Sequence, residues 1–270
     1  MSETIETFQI PLRIAEAYEA TFVPALFAGW ARDLVAAAEI TAGQRVLDVA
    51  CGTGIVARTA ADRAGATGQM VGLDLNDAML TVAGRVRPDI EWRLGDAADL
   101  PFDDDAFDVV TCQAALMFFA DRVQALREMA RVVTADGTVA VHVPGRLTAS
   151  DAYVALIEIT ARHAGPDAVN LLSAYFALGD TGELRRLFAE SGLDVVDIKT
   201  RMSTLDLGSV DQFVAAEVES TPLIERISDE VYTRIREDAR VALEPFTAPS
   251  GAVAIPIEGH AVSGCRRRRS

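Results

Sequence analysis

The sequence contains few cysteines, few aromatic residues and no long apolar segment. Its three cysteines, Cys51, Cys112 and Cys265, are odd in number and lack CxxC spacing. This pattern indicates neither a disulfide framework nor a zinc site. No apolar run approaches the roughly eighteen residues that a membrane-spanning helix needs. Residues 1–10 also lack the basic and then apolar regions of a signal peptide. We therefore expect a cytoplasmic protein with no membrane partner.

Positive charge is scarce as well, and the formal net charge is -15 at pH 7. A surface of this sign repels the phosphate backbone of nucleic acids. We therefore expect no DNA or RNA substrate and favour a small, neutral or weakly charged molecule. The basic run Arg266–Arg269 has no aromatic neighbours and is best interpreted as a solvated tail. A membrane or nucleic-acid contact is the less favoured interpretation of that run.

The most informative segment is Val46–Gly54, a β-type apolar run followed by a glycine-rich turn. The strand residues favour a buried, pleated surface and end at Asp48. Gly52 and Gly54 permit a sharp bend and a close approach of the backbone to a ligand. Residues 55–63 have a helical pattern, so the bend is predicted to join a strand to a helix. Nucleotide-like ligands bind at such junctions in open α/β sheets.

Two further acids follow predicted strands. Asp74 lies in the apolar run 71–75, twenty residues after Gly54. A carboxylate at this position can accept hydrogen bonds from both hydroxyl groups of a ribose. Asp96 follows the short run 90–94. Together with the acid at the end of the first strand, these residues bring three carboxylates to one edge of the predicted sheet.

Strand and helix patterns alternate along most of the chain, which indicates a parallel sheet with right-handed crossovers. The fold class predicted is α/β, with a Rossmann-like, mostly parallel seven-stranded sheet and helices on both faces. The predicted strands are 45–50, 69–74, 90–94, 107–112, 138–143 and 194–200, with one or two more in 252–265. The predicted helices of this part are 54–64, 76–86, 121–133 and 181–191.

Three parts of the chain are predicted from these patterns. Residues 1–40 form an N-terminal helical lid, in which Pro24 predicts a break between two helices. Residues 41–144 and 180–265 form the Rossmann-like cofactor-binding core. Residues 145–179 form a helical insertion after the fifth strand, which we interpret as a substrate lid.

The motifs of the core resemble those of the class I S-adenosylmethionine-dependent methyltransferases. The nearest resemblance is to the ubiquinone/menaquinone-type and small-molecule methyltransferases. It rests on Asp48–Gly54, Asp74, Gly95–Ala97 and Phe107–Val110, and it covers roughly Tyr18–Val143. The resemblance implies that the cofactor is S-adenosyl-L-methionine.

The resemblance also implies a cofactor site. The glycine loop would lie under the methionine part of the cofactor, Asp74 would hold the ribose, and Asp96 with the Ala97 backbone would contact the adenine. Tyr18 would contact the cofactor carboxylate or pack in the core, and Gln113 would lie beside the cofactor sulfur. The predicted cofactor-binding residues are Tyr18, Asp48, Ala50, Cys51, Gly52, Gly54, Asp74, Leu75, Met79, Asp96, Ala97 and Gln113.

A nicotinamide enzyme is the rival interpretation, because residues 52–57 also fit the dinucleotide fingerprint G-x-G-x-x-G/A. A dinucleotide needs free amides at a helix N-terminus for its pyrophosphate, and Asp48 would be an unfavourable neighbour for that group. The amino and sulfonium groups of S-adenosylmethionine are cationic and suit an acidic site. A second alternative is a non-methylating reaction, such as a cyclisation, on the methyltransferase fold.

Methyl transfer from a sulfonium requires mainly alignment of the reactants and exclusion of water. An oxygen nucleophile can also need a general base. His142 is the candidate base, since it lies near the end of a predicted strand, although a histidine between two valines also fits a buried structural role. We predict methylation of a small apolar or aromatic metabolite in secondary metabolism, with oxygen favoured over carbon as the acceptor atom.

The residues that would contact the acceptor are harder to predict. Phe118 lies where many relatives carry a histidine pair, so it is interpreted either as an apolar substrate wall or as a core residue. His163 and Tyr175 in the insertion are the other candidates. The acidic run 103–105 has no suitably spaced partner and is interpreted as solvated, so we predict no metal. The sequence allows a homodimer.

Overall fold

The structure is a computed structural model that describes residues 10–219 and 222–267. The prediction of no signal peptide concerns residues 1–10, of which residues 1–9 lie outside the described part, as do Arg268 and Arg269 of the basic tail. The chain divides into two compact units. Unit 1 comprises Met1–Val143, Asp180–Thr200 and His260–Ser270, and unit 2 comprises Pro144–Gly179 and Arg201–Gly259.

Seven strands and ten α-helices are found in the described residues. The strands are β1 (Arg45–Val49), β2 (Gln69–Asp74), β3 (Glu91–Leu94), β4 (Phe107–Gln113), β5 (Val133–Pro144), β6 (Leu193–Leu207) and β7 (Val253–Arg266). The helices are α1 (Leu12–Phe22), α2 (Ala28–Ala37), α3 (Ile55–Ala64), α4 (Asp77–Val86), α5 (Arg122–Val132), α6 (Asp151–Ala164), α7 (Pro166–Ser173), α8 (Thr181–Glu190), α9 (Val210–Glu219) and α10 (Asp229–Ala242).

The strands form one sheet in the order β3-β2-β1-β4-β5-β7-β6. The pairs β1–β2, β1–β4, β2–β3 and β4–β5 are all parallel. Four consecutive residues of β1 are buried, which requires cover on both faces of the sheet. The predicted Rossmann-like α/β fold is confirmed. One antiparallel hairpin makes the sheet mixed, a small departure from the predicted pattern.

The strand order reverses between β1 and β4, because the chain runs from β1 outward to β3 and then returns to β4. Such a reversal is a topological switch point, where the loops after the two central strands diverge and leave room for a ligand. Asp48 lies near the carboxyl end of β1, and Gln113 ends β4. The fold therefore places the sequence motifs at the edge of the sheet where ligands bind.

The N-terminal segment is helical through Pro24, so the predicted break there is wrong. A π-helical turn, Val23–Phe27, joins α1 to α2. At its start the Val23 N–H donates to the Tyr18 carbonyl, five residues earlier. Proline has no N–H to donate, and its ring would clash with a carbonyl in a regular α-helix. The wider π turn accommodates the proline without ending the helix.

Unit 2 is built from α6, α7, α9 and α10 together with the parts of β6 and β7 that adjoin them. Helix α10 packs against both α6 and α9. Residues 201–259 therefore belong to the same unit as residues 144–179, whereas the predicted division placed residues 180–265 in the core. None of the helices among the described residues is long and apolar enough to cross a membrane.

Candidate cofactor-binding site

Asp48 joins three elements at the carboxyl edge of the sheet. It is 1% exposed, and its carboxylate accepts hydrogen bonds from the Ala57 N–H of α3 at 3.1 Å and the Thr111 Oγ1 of β4 at 2.9 Å. Burial raises the pKa of Asp48 to about 7, and these hydrogen bonds partly oppose that rise. Asp48 therefore fixes the start of α3 against β1 and β4.

Asp74 holds the glycine loop from the neighbouring strand. Its Oδ2 accepts a hydrogen bond from the Gly52 N–H at 2.7 Å, and its Oδ1 accepts one from the Asn76 N–H at 2.8 Å. Burial raises the pKa of Asp74, and these backbone hydrogen bonds oppose the rise. The Leu75 backbone also hydrogen-bonds this carboxylate. A carboxylate offers about four lone-pair positions, so about one remains for a hydroxyl group of a ligand.

The two glycines of the loop have different surroundings. Gly52 has a φ of +56°, and a Cβ built there would meet no described atom within 4 Å. Gly54 has a φ of +88°, and a Cβ built there would clash with the indole ring of Trp92. Gly52 is thus open on its ligand side, whereas Gly54 is required for packing inside the protein. The packing against Trp92 is a second reason for glycine at this position, and the approach of Gly54 to a ligand stays a prediction.

Trp92 is a supporting residue that the sequence analysis missed. It lies on β3, its indole N–H donates to the Arg87 carbonyl at 3.0 Å, and its ring also fills the space beside Gly72. A glycine in the middle of a strand is a sign of close packing, so Gly72 was the signal that could have indicated a large neighbour.

Two alanines adopt the left-handed conformation next to the site. Ala50 after β1 has a φ of +55°, and Ala114 after β4 has a φ of +52°. Each conformation costs on the order of 1–2 kcal/mol for a residue with a Cβ. The Ala114 N–H donates to the His142 carbonyl at 2.7 Å, which helps to fix that turn. Strain on both sides of a switch point is typical of binding sites, and alanine gives no sequence signal for it.

Asp96, Ala97, Leu75 and Met79 lie beyond the ends of β2 and β3. Asp96 is exposed, and its Oδ1 accepts a hydrogen bond from the Ala98 N–H at 2.9 Å. Ala97 is buried, Leu75 is 48% exposed, and the Met79 N–H is bonded to the Asn76 side chain at 3.2 Å. A carboxylate such as that of Asp96 can accept a hydrogen bond from the edge of a flat heterocycle, and an exposed apolar side chain such as Leu75 can pack on the face of the same ring.

Tyr18 of α1 lies close to the acidic residues of the site. Burial raises its pKa, and Asp74, Glu19 and Asp48 raise it further by repelling a phenolate. Its ring stacks on Phe27 with centroids 5.3 Å apart. Helix α1 therefore places a phenol near the acidic residues at this edge of the sheet, where its ring packs against Phe27.

An ion pair that the sequence analysis missed connects α1 with the glycine loop. Glu19 Oε1 lies 2.9 Å from Arg58 Nη2, and Arg58 Nη1 donates to the Thr53 carbonyl at 2.8 Å. Arg58 lies in the first turn of α3, where the helix dipole disfavours a cation. That unfavourable position was the available signal that Arg58 has a specific anionic partner.

Several buried polar atoms of this region are unpaired among the described residues. They include Glu19 Oε2, Thr53 Oγ1 and Gln113 Oε1. Buried polar groups are rarely left without a hydrogen bond. The two acceptor oxygens can bind the ammonium group of an amino-acid moiety, and the hydroxyl group can donate to its carboxylate. Together with the acids and the open side of Gly52, these atoms fit S-adenosyl-L-methionine.

The surroundings of His142 do not favour the base role predicted for it. His142 is 3% exposed, and its ring centroid lies 4.5 Å from that of Trp30. Burial, with a smaller contribution from the nearby His260, lowers the pKa of His142 to about 3. The imidazole is thus neutral at pH 7 but is a very weak proton acceptor. Phe118 lies half-buried in the short 3-10 turn Leu116–Phe118, after β4.

His163 and Tyr175 belong to unit 2, whereas the predicted cofactor-binding residues all belong to unit 1. His163 Nε2 lies 2.8 Å from Asp238 Oδ2, which Arg162 also contacts at 3.2 Å. The Tyr175 ring packs edge-on against Phe176 with centroids 5.5 Å apart. The structure thus gives both residues partners on unit 2.

The acidic run 103–105 takes part in ion pairs. Asp104 lies 2.9 Å from Arg131, and Asp105 pairs with Arg266. Within the described part of the chain, no group of three or more acidic, histidine or cysteine side chains has the arrangement of a metal site.

Comparison with known proteins shows what the central part of the chain is similar to. Residues 47–141 match the family described as Methyltransferase domain. The matched segment contains the glycine loop and the strands β2, β3 and β4, so this part of the chain is similar to a methyltransferase domain.

Two curated relatives and one solved structure illustrate the similarity. The demethylmenaquinone methyltransferase of Lactobacillus johnsonii is 34% identical over 119 residues, which are 42% of this chain and 49% of the relative. The ubiquinone/menaquinone biosynthesis C-methyltransferase UbiE of Idiomarina loihiensis is 38% identical over 117 residues, which are 41% and 46% of the two chains. The matches thus span about half the length of these relatives.

The crystal structure of the YcgJ protein from Bacillus subtilis superposes with a TM-score of 0.59 at 19% identity. The superposition covers 88% of this chain and 98% of that chain. At this identity the similarity shows a common fold.

Proposed function

We propose that this chain is an enzyme that transfers a methyl group from S-adenosyl-L-methionine to a small apolar or aromatic metabolite. The observation that carries the proposal is the open side of Gly52 between the carboxylates Asp48 and Asp74, inside a methyltransferase domain. When bound, the cofactor supplies a methyl group on a positively charged sulfur. An acidic edge suits that charge, whereas it would repel a dinucleotide pyrophosphate.

Each part of the cofactor has proposed partners in unit 1. Asp74, already fixed by the Gly52 N–H, would hold the ribose. Asp96 and the Ala97 backbone would bind the adenine edge. Tyr18 and Gln113 would contact the methionine end, where Gln113 Oε1 is unpaired among the described residues. The other predicted contacts are Ala50, Cys51, Leu75 and Met79.

The acceptor atom is proposed from two opposing observations. Oxygen is the acceptor that the sequence analysis favours, but the buried His142 is too weak a base to activate an aliphatic hydroxyl. A phenol or enol ionises more readily and requires less of a base. Carbon methylation of a hydroxylated ring is the second candidate, because the names of the curated relatives include demethylmenaquinone methyltransferase and C-methyltransferase.

Other aspects of the function stay predictions. The net charge of -15 supports a small-molecule acceptor over a nucleic acid. Acceptor contacts by Phe118, His163 and Tyr175, a role in secondary metabolism, a cytoplasmic location and a homodimer are predictions from the sequence.

The proposal is tested first by calorimetric titration with S-adenosylmethionine, S-adenosylhomocysteine and NADH in parallel. We expect binding of the first two with dissociation constants in the micromolar range and no binding of NADH. Asp96→Asn is expected to weaken the binding of S-adenosylhomocysteine, because it changes the proposed adenine contact. Binding of NADH alone would contradict the cofactor assignment.

Turnover is then measured with methyl-labelled S-adenosylmethionine and a panel of phenols, naphthols and quinols, with the products analysed by mass spectrometry and NMR. Methylated product with an equal amount of S-adenosylhomocysteine supports the proposal, and NMR distinguishes oxygen from carbon methylation. Chemical conversion of the acceptor with no formation of S-adenosylhomocysteine would instead indicate a non-methylating reaction such as a cyclisation.

A further inference from the structure

Strand β6 forms one edge of the sheet, and its segment 196–200, which belongs to unit 1, is largely exposed. The strand has 15 residues, whereas strands of about five or six residues are typical. Val196 is 70% exposed, and the side chains of Asp197 and Lys199 are 52% and 50% exposed. The edge of a sheet presents N–H and C=O groups that can pair with another chain. A long, accessible edge of this kind is a candidate interaction surface.

The segment 196–200 carries one acid and the single lysine of the chain, two residues apart. Side chains alternate between the two faces of a strand, so Asp197 and Lys199 share one face. Lys199 Nζ lies 3.6 Å from Asp197 Oδ2, in agreement with that placement. Val196, Ile198 and Thr200 belong to the opposite face. The segment therefore has one charged face and one face with two apolar side chains and a hydroxyl group.

This pattern is complementary to itself when two copies of the segment pair antiparallel about a two-fold axis at Ile198. Asp197 then faces the partner's Lys199, and Lys199 faces the partner's Asp197. On the opposite face Val196 lies across from the partner's Thr200, and the two Ile198 side chains meet at the axis. Opposite charges that face each other across two strands stabilise the pairing, and like charges destabilise it.

The neighbouring positions of the axis lack this complementarity. An axis at Asp197 brings the two copies of that acid together, and an axis at Lys199 brings the two lysines together. An axis at Thr200 sets Lys199 opposite Arg201 of the second copy. Of these four positions, the one at Ile198 gives both charges an opposite charge. An unpaired lysine on an edge strand hinders pairing, and the acid two residues before Lys199 removes that obstacle in this register.

The other edge of the sheet offers a much shorter surface. It is formed by β3, which has only four residues. Pairing of β6 with β3 of another copy would be head-to-tail and would leave an edge free on each side of the assembly. Pairing of β6 with itself is closed after two copies, and closed two-fold dimers are the commonest soluble oligomers.

We propose that residues 196–200 of β6 form an interface with a second copy of this chain, by antiparallel pairing of the strand with itself about Ile198. The sheet of unit 1 then continues across the two copies. The inference does not depend on the cofactor or on the methyl acceptor, so the proposed function and this interface can fail separately.

The test measures the association of the full chain by sedimentation velocity over a range of concentrations. We expect an equilibrium between monomer and dimer. Lys199→Asp places a carboxylate opposite Asp197 at both facing positions and should raise the dissociation constant of the dimer by about tenfold or more. Adding Asp197→Lys to this variant exchanges the two charges, so that opposite charges face each other again. The exchange should return the dissociation constant to within about threefold of the original value.

Arg234→Asp is the matched control for the change in net charge. It alters the charge by the same amount as Lys199→Asp, at a side chain of α10 that is 59% exposed, and it should leave the dissociation constant unchanged. The exchange of charges also separates the registers, because in the register centred on Lys199 it would set a lysine opposite Arg201 and would weaken the dimer.

Cross-linking locates the interface. A carbodiimide joins a lysine amine to a nearby carboxylate, and a mixture of unlabelled and 15N-labelled protein distinguishes links between copies from links within one copy. We expect mixed-isotope links between Lys199 and the partner's Asp197. A protein that stays monomeric at its highest soluble concentration would overturn the proposal. So would a dimer whose affinity is unchanged by Lys199→Asp or is not restored by the exchange of charges.

Discussion

At the scale of single residues, the two glycines of the loop serve different purposes although they lie two positions apart. Both glycines have positive φ angles. The space where a Cβ would lie is open at Gly52, whereas the Trp92 ring occupies it at Gly54. A motif that contains both glycines does not distinguish these roles. The identity of the residue opposite each glycine does, because it decides whether an added methyl group meets protein or ligand.

We predict that Gly54→Ala and Gly52→Ala affect different properties. Gly54→Ala combines positive-φ strain with a clash against Trp92 and should lower the free energy of unfolding by about 3 kcal/mol. Gly52→Ala has only the strain and should cost about 1 kcal/mol, but its methyl group would enter the proposed cofactor position. We expect Gly52→Ala to lower the affinity for S-adenosylhomocysteine by about tenfold or more. Urea unfolding and calorimetry measure the two effects.

A second substitution provides the control for this comparison. Replacing Trp92 by Leu in the Gly54→Ala background removes the ring that causes the clash, so the two changes together should cost less than their sum. The same replacement should not rescue ligand binding by Gly52→Ala. Equal loss of stability in both alanine variants, with ligand binding intact, would show that the two glycines do not differ.

At the scale of elements, the strand and helix pattern could be predicted because each core strand is a short apolar run followed by a polar turn. The π turn at Pro24 could not be predicted by the local rule for proline, since a wider turn relieves the clash that the rule assumes. Arg58 and Glu19 were missed because they are 39 positions apart and meet only when α1 packs near α3. Long-range pairing of this kind leaves no periodic signal in one sequence.

We predict that the Glu19–Arg58 ion pair holds α1 on the glycine loop. The two side chains are 21% and 12% exposed, so Arg58→Met leaves a carboxylate unpaired in a partly buried position. Loss of about 2 kcal/mol in the free energy of unfolding is expected, with faster hydrogen exchange of the α1 amides. Arg85→Met is the matched control, because its pair with Glu16 also joins α1 to a neighbouring helix but is largely exposed. It should cost no more than about 0.5 kcal/mol.

The double variant of this pair tests whether the effect arises from the interaction itself. With Glu19→Gln added, Arg58→Met should cost less than it does alone, because the unpaired charge has been removed. If Arg58→Met and Arg85→Met change hydrogen exchange of α1 equally, the buried pair has no special role in holding the helix.

At the scale of the whole molecule, the core of unit 1 was predictable and the extent of unit 2 was not. Residues 145–179 were predicted as an insertion from their position after the fifth strand. Helix α10, far along the chain, packs against α6 of that insertion, and its amphipathic pattern fits any apolar partner equally well. Tyr153 of α6 and Glu217 of α9 form a hydrogen bond of 2.7 Å between two helices that are far apart in the sequence. This contact could not be predicted from the sequence either, because neither residue carries a local signal of its partner.

This hydrogen bond leads to a prediction about pH. Burial raises the pKa of Glu217 to about 7 from 4.5, while the hydrogen bond from Tyr153 opposes the rise. Because the folded-state pKa lies above the unfolded value, the protonated carboxyl stabilises the fold fully below about pH 4.5, and this stabilisation is lost as the pH rises to about 7. Glu217→Gln keeps a neutral partner for Tyr153. The variant should therefore gain stability over the unmodified protein between about pH 5 and pH 8, on the order of 2 kcal/mol.

Urea unfolding of both proteins across this pH range measures the effect, and the difference between them isolates Glu217 from other titrating groups such as Asp48 and His142. Glu237→Gln, an exposed change on α10 of the same unit, is the control and should leave the pH dependence unchanged. A constant difference between Glu217→Gln and the unmodified protein from pH 5 to pH 8 would mean that this carboxyl does not titrate there. The pKa of Glu217 would then not differ between the folded and unfolded chain in this range, and any change of stability with pH would come from other groups.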